Sequence, residues 1–175
     1  MAVIIMGVSG SGKSTLGALL AHALGAAFLE GDTFHDAASV AKMRGGQPLD
    51  DADRWPWLDR LGAAIDSEVR ASGLAVAACS ALRRSYRDRL AAAIAAPTRF
   101  ILLDNSPEEL RRRLASRSGH YMPSSLLTSQ LGTLERLGAD EAATTLDASV
   151  APETLCREAV AWLQGFSVGD VEPSR

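Results

Sequence analysis

The sequence predicts an α/β domain in which a five-stranded parallel sheet carries helices on both faces. Three observations lead there. Short apolar runs of strand length alternate with longer helical stretches along the chain, the pattern of successive β–α–β crossovers. The 175 residues suit one domain, and 47% of them are hydrophobic, enough for a sizeable core. A glycine-rich loop, residues 7–12, joins the first apolar run to the first helical stretch.

Taken in order, residues 2–6 are apolar and bounded by glycine, the mark of a buried strand. Residues 13–24 read as a helix closed near Gly25. A second strand over 26–30 stops at Gly31-Asp32. Residues 36–44 read as a helix ended by Gly45-Gly46 and Pro48. A long helix follows over 53–71, with Pro56 in its first turn and Gly73 just past its end. A third strand spans 74–79, an arginine-rich helix over 83–96 is stopped by Pro97, and a fourth strand covers 99–103. Ser106 and Pro107 supply the N-cap and first helical residue of a helix reaching residue 116. A loop over 119–122, a helix over 124–137, a fifth strand over 144–148 and a helix over 152–163 complete the series. Residues 1–164 are therefore expected to form a single domain. Segments 33–52 and 117–135 are helical insertions, on the substrate side and as a lid. Residues 165–175 have little to bury and are expected to form a flexible tail.

Composition excludes several classes. The formal net charge of -3 argues against nucleic acid as a partner. No apolar run approaches the ~20 residues of a bilayer span, and glycine and serine interrupt the apolar start too early for a secretion signal. A cytoplasmic protein without a membrane partner is expected. Cys79 and Cys156 lie far apart without metal-ligand spacing and read as buried, reduced thiols. Of 18 basic residues only Lys13 and Lys42 are lysines, which draws attention to both.

Lys13 falls in Gly7-Val8-Ser9-Gly10-Ser11-Gly12-Lys13-Ser14, which matches G-x-x-x-x-G-K-[ST]. Its glycines allow a backbone path closed to other residues, so that successive N–H groups face an anion. The helix that starts at Lys13 adds the positive end of its dipole. This loop, Gly7, Ser9, Gly10, Ser11, Gly12, Lys13, Ser14 and Thr15, is the expected nucleotide site, with Lys13 on the β and γ phosphates and Ser14 on Mg²⁺. ATP and Mg²⁺ are the implied cofactors, and the fold becomes that of a P-loop NTPase.

Other motifs narrow the class. Asn105 is the sole asparagine and is followed by serine, so the guanine-reading N-K-x-D is absent. The third strand ends Cys79-Ser80 rather than in the Asp-Glu of large ATPases. Small size and two insertions favour a metabolite kinase. Asp32, ending the second strand beside the loop, is the candidate to hold Mg²⁺ or accept the proton of the substrate hydroxyl.

With these pieces assembled, the chain resembles the P-loop gluconokinase family from about residue 3 to residue 141. Besides the loop, the matching stretches are Gly31-Asp32-x-x-His35; Lys42-Met43; Gly46-x-Pro48-Leu49-x-Asp51-x-Asp53-Arg54; Pro56-Trp57-Leu58; Cys79-Ser80-Ala81-Leu82 with Tyr86-Arg87-Asp88; Arg117-x-Gly119-His120; and Ser129-Gln130 with Thr133-Leu134-Glu135. The resemblance implies ATP-dependent phosphorylation of D-gluconate to 6-phosphogluconate, and a homodimer. It departs from the family at Asp36 and Ser39, where proline and asparagine are usual.

A polyhydroxy acid needs a cation at one end and polar groups along its length. Arg87 is the candidate fork for the carboxylate, with Arg84 and Lys42 as further cations. Asp32 and His35 suit hydroxyls near the reacting end. Arg54 and His120 complete the substrate set implied by the resemblance. By similarity to nucleoside monophosphate kinases, Arg113 is assigned to adenine and Arg117 to the γ-phosphate, with residues 113–121 as the lid and 148–152 bordering the adenine. A kinase of another acceptor, such as shikimate or a nucleoside monophosphate, and a non-catalytic nucleotide-binding regulator remain open alternatives.

Overall fold

The computed structural model describes residues 1–116 and 124–167. In chain order the elements are β1 (Ala2–Met6), α1 (Lys13–Leu24), β2 (Ala27–Glu30), a 3₁₀ turn (Gly31–Phe34), α2 (Ala37–Arg44), α3 (Asp51–Ser72), β3 (Ala75–Ala78), α4 (Arg84–Ala93), β4 (Thr98–Asp104), α5 (Pro107–Ala115), α6 (Ser124–Thr133), β5 (Ala143–Asp147) and α7 (Pro152–Ser167).

All described strand pairs are parallel, in the order β2-β3-β1-β4-β5. The central strand β1 is buried along its whole length, which is why it reads as an unbroken apolar run. Its side chains alternate between two cores. Ala2, Ile4 and Met6 face a core shared with Leu58, Leu61 and Ile65 of α3 and Leu90 of α4. Val3 and Ile5 face the opposite core, with Leu16 and Leu20 of α1 and Leu155 and Leu163 of α7. The C-terminal ends of the strands thus open between two packed layers, where open parallel sheets bind ligands. Among the described residues no helix is long and apolar enough to cross a membrane. Cys79 is buried, with its thiol pushed up to about 12 by desolvation, whereas Cys156 is only half-buried.

Some boundaries differ from expectation for local reasons. Helix α3 starts at Asp51, not at residue 53, because Asp50 caps it reciprocally with Asp53: each carboxylate accepts the other's backbone N–H. Pro56 therefore sits in the second turn. Helices α4 and α6 end at Ala93 and Thr133, so residues 134–142 run as a connecting segment across the first core. The departures at Asp36 and Ser39 turn out to be a cap. Asp36 precedes α2 and accepts the Ser39 N–H at 2.7 Å, and Ser39 is 2% exposed. Those bonds hold the Asp36 carboxyl below its ordinary range.

Candidate active site

The loop after β1 is shaped for an anion. Gly7 and Gly12 have φ of 139° and 99°, a region that disfavours side chains. A Cβ on Gly7 would also lie 2.9 Å from the Leu103 carbonyl oxygen. Helices α2, α3 and α5 begin with side-chain caps from Asp36, Asp50 and Ser106, but α1 begins at Gly12 with none and has no acid in its first turn. Its leading N–H groups are left for a ligand, and the positive end of the helix is uncompensated. Lys13 extends from the first turn, its Nζ 3.0 Å from the Val8 carbonyl oxygen that it bonds. The neighbouring Ser14 is exposed. This arrangement fits ATP. Ser14, with Asp32, would hold Mg²⁺, an ion that takes few protein ligands and keeps its waters.

On the acceptor side, one cleft is lined by Ser9, Lys13, Asp32, His35, Arg54 and Gln130, together with Ser80, Met43, Leu49 and Thr133. Four features position its acidic end. Gly31 lies so close to β3 that a Cβ would be 2.3 Å from the Ala78 carbonyl oxygen. Trp57, 1% exposed, donates its indole N–H to the Gly31 carbonyl at 2.7 Å. His35 stacks on Trp57 with ring centroids 4.1 Å apart. The 3₁₀ turn then presents Asp32 just beyond β2 rather than at its end. Burial is the main reason the His35 imidazole titrates below its ordinary value, and its buried Nδ1 has no hydrogen-bond partner among the described residues.

The cleft continues past Arg54 into a second hollow that shares Leu49, Arg54, Ser129 and Thr133 and adds Asp51, Arg83 and Tyr86. Arg54 donates Nε to the Leu49 carbonyl at 3.3 Å and lies over the Tyr86 ring, 5.4 Å from its centroid. Arg83 approaches the same ring at 5.8 Å and pairs with Asp51 at 3.3 Å. The Tyr86 hydroxyl donates to Asp51 at 2.6 Å, and desolvation with this bond pushes the phenol up to about 12.

Across the loop a third hollow is lined by Gly10, Gly12, Thr15, Arg113, Ala148 and Pro152. Arg113 is fixed there, donating Nε to Glu109 at 2.6 Å and Nη2 to the Ala148 carbonyl at 2.7 Å. Bonds from Arg112 and Arg113 push the Glu109 carboxyl down to about 2. Arg113 and the 148–152 turn, both assigned to adenine, are therefore side by side.

Other expectations are corrected. Arg87 does not reach the cleft. It is 1% exposed and forks onto Glu141, 6% exposed, with Nη2–Oε1 at 2.9 Å. A guanidinium consumed by a buried carboxylate has nothing to offer a ligand. Arg84 is taken by Asp140, both contacts at 2.9 Å, and by Asp88 at 3.3 Å. Lys42 is paired with Asp53 at 2.7 Å, tying α2 to the first turn of α3. Arg117 and His120 lie outside the described residues. Sequence reasoning assigned no role to Ser80, Arg83 or Gln130, although Ser80 and Gln130 stood within the matching stretches. Arg83 carried no signal beyond its place in an arginine cluster.

The fold and these adjoining hollows define a P-loop kinase that serves a small acceptor. The family model described as an AAA domain matches residues 3–137. A gluconokinase of Gluconobacter oxydans (strain 621H) is 45% identical over 162 residues, covering 93% of this chain and 90% of that protein. The crystal structure of a gluconokinase from Sinorhizobium meliloti 1021 superposes with a TM-score of 0.85 at 41% identity, covering 94% of this chain and 92% of that one. An unliganded sugar kinase from Janibacter sp. HTCC2649 does so with a TM-score of 0.88 at 44% identity, covering 93% and 94%. The chain belongs to the gluconokinase family of P-loop kinases.

Proposed function

We infer that this protein transfers the γ-phosphoryl group of ATP to the terminal hydroxyl of D-gluconate. The observation that carries the reading is the cleft that adjoins the loop. It runs from Lys13 and Asp32 at the loop to Arg54 and Arg83, with hydroxyl-binding side chains along its course and cations at its far end, as a polyhydroxy acid with one charged end requires. The carboxylate binds Arg54, with Arg83 behind it, in place of the buried Arg87. The hydroxyls meet His35, Ser129 and Thr133, and the reacting hydroxyl lies between Asp32 and the P-loop.

In the reaction the bond between the γ-phosphorus and the β–γ bridging oxygen breaks, and a bond from phosphorus to the substrate oxygen forms. The hydroxyl proton passes to Asp32, and ADP leaves with the bridging oxygen. Lys13 and the N–H groups of α1 stabilise charge on the phosphates, and Arg113 with Ala148 and Pro152 holds the adenine. Ser14, with Asp32 reaching through a water, would hold Mg²⁺, which would supply charge neutralisation at the phosphates. A cytoplasmic location follows from the need for ATP, and a homodimer from the family resemblance; light scattering reading twice the 18.4 kDa chain mass tests the latter.

The test is a coupled ADP-release assay with Mg-ATP and gluconate, related sugar acids, shikimate and nucleoside monophosphates. Gluconate is expected to be turned over fastest. A monophosphate or shikimate turned over faster than gluconate would refute the assignment.

A further inference from the structure

Helix α6 brings Gln130 to the mouth of the P-loop, where the Ser9 backbone N–H donates to the Gln130 Oε1 at 2.7 Å. This contact links residues 121 positions apart and is partly buried. Two features show that it is built in rather than incidental. Leu127 of α6 is buried in one cluster with Val8 of the loop, Leu82 and Leu110, so the helix packs directly on the loop it touches. The end of α6 is tied down as well: the Leu134 N–H donates to the Gln130 carbonyl at 3.0 Å, and the Glu135 N–H to the Leu82 carbonyl at 2.8 Å.

The bond fixes the chemistry of the amide. A backbone N–H can only be met by the oxygen end, so the amide cannot flip without losing it. With the oxygen taken, Gln130 has only its two N–H donors left for the cleft. It lines that cleft beside Ser9 and Lys13 on the phosphate side and Asp32 and Arg54 on the acceptor side. The oxygens that meet at this junction are those of the group in transit. A neutral donor already fixed in place stabilises charge developing there without reorganising.

On the kinase reading above, we propose that Gln130, anchored to the Ser9 N–H through its amide oxygen, is a catalytic donor to the phosphoryl group in transit between ATP and the acceptor hydroxyl. Gln130→Met removes both the anchor and the donors. Gln130→Glu keeps an oxygen for Ser9 but removes the donors. Both variants are expected to lower kcat by about 10²-fold, with the gluconate KM and the affinity for a non-hydrolysable ATP analogue, read by calorimetry, changed less than about threefold. ADP with aluminium fluoride and gluconate mimics the transferring phosphoryl, and its complex with Gln130→Met is expected to weaken by a similar factor while ADP alone binds normally.

Wild-type kcat in Gln130→Glu would overturn the proposal, because the residue would then only anchor the loop. So would a loss that appears wholly as weaker binding of the ATP analogue, or a raised gluconate KM at unchanged kcat. A wild-type protein that leaves gluconate untouched overturns the acceptor assignment. An active wild type with fully active variants overturns only the role of Gln130.

Discussion

Replacing Arg87 by alanine separates a role in substrate binding from a role in the fold. Arg87 and Glu141 are both nearly devoid of solvent contact and form a forked ion pair. Arg87 also donates, at 3.3–3.4 Å, to the carbonyls of Ala81, Leu82 and Glu135. Removing one partner of a buried pair leaves the other as an uncompensated charge, at a cost of about 3–5 kcal/mol. For a domain of this size each kcal/mol shifts the melting temperature by ~2–4 °C, so Arg87→Ala is expected to melt about 6–20 °C lower. The gluconate KM of the folded fraction should stay near wild type. Adding Glu141→Gln should restore part of the lost stability, because it removes the stranded charge. Acid titration gives a second reading. The hydrogen bond from Arg87 is the main reason the Glu141 carboxyl titrates below its ordinary value. Its folded pKa is depressed, so its contribution is complete above the unfolded glutamate value of about 4.3 and is lost as pH falls through the folded value. That acid loss should be absent in Arg87→Ala. An unchanged melting temperature together with a raised gluconate KM would refute this account and return Arg87 to the substrate site.

Three further expectations concern the site. Lys13→Ala should lower kcat by about 10²-fold or more without moving the thermal melt, since it removes charge stabilisation at the phosphates; near-normal turnover would contradict the role. Arg54→Ala should raise the gluconate KM by about tenfold or more and leave the ATP KM alone, as expected for a charged hydrogen bond of ~1.5–3 kcal/mol; equal effects on both would remove it from the acid-binding end. His35 titrates below its ordinary value of about 6.5, mainly through burial, so it is neutral at pH 7 and gains its proton only on further acidification. The gluconate KM should therefore be flat from pH 7 upward and change only on the acid side, and His35→Gln should abolish that acid limb; an acid limb that persists in the variant would assign it to another group.

The parts of the molecule that were legible in the sequence are those that sequence neighbours build. The phosphate loop is a motif of eight consecutive residues that runs from the end of a strand into the first turn of a helix, so its chemistry could be read directly. The buried run of β1 and the cap at Ser106-Pro107 were equally local. The start of α3 was missed although its signal was present: Asp50 and Asp53 stand at capping-box spacing, with aspartate doing the work of the more usual glutamate. Asp36 and Ser39 stood out only as departures from the family pattern, yet they satisfy a helix end. Arg87 was the largest misreading, and its cause is distance. Its partner Glu141 lies 54 residues away, and nothing local distinguishes an arginine that meets a ligand from one that meets a buried carboxylate.

The position of Arg87 explains how a residue can belong to a stretch that matches the family without reaching the cleft. After β3 the chain passes through Ala81, buried and at φ 42°, a conformation costing about 1–2 kcal/mol for a residue with a Cβ. That turn sets Ser80, whose carbonyl accepts the Gly7 N–H at 3.3 Å, and Leu82, whose carbonyl accepts the Glu135 N–H. Arg87 reaches the carbonyls of both Ala81 and Leu82 and, through Glu141 and the Glu135 carbonyl, the segment that follows α6. The P-loop, the strained turn and the base of α6 are thereby clamped at one point. Positioning contributes most when chemistry is dominated by electrostatics, as in phosphoryl transfer, because a donor displaced by 1 Å can cost about 10²-fold in rate. The guanidinium therefore serves the framework around the loop, bonded to the turn that follows Ser80 and to the segment after α6, a role for which it is buried and paired rather than open to the cleft.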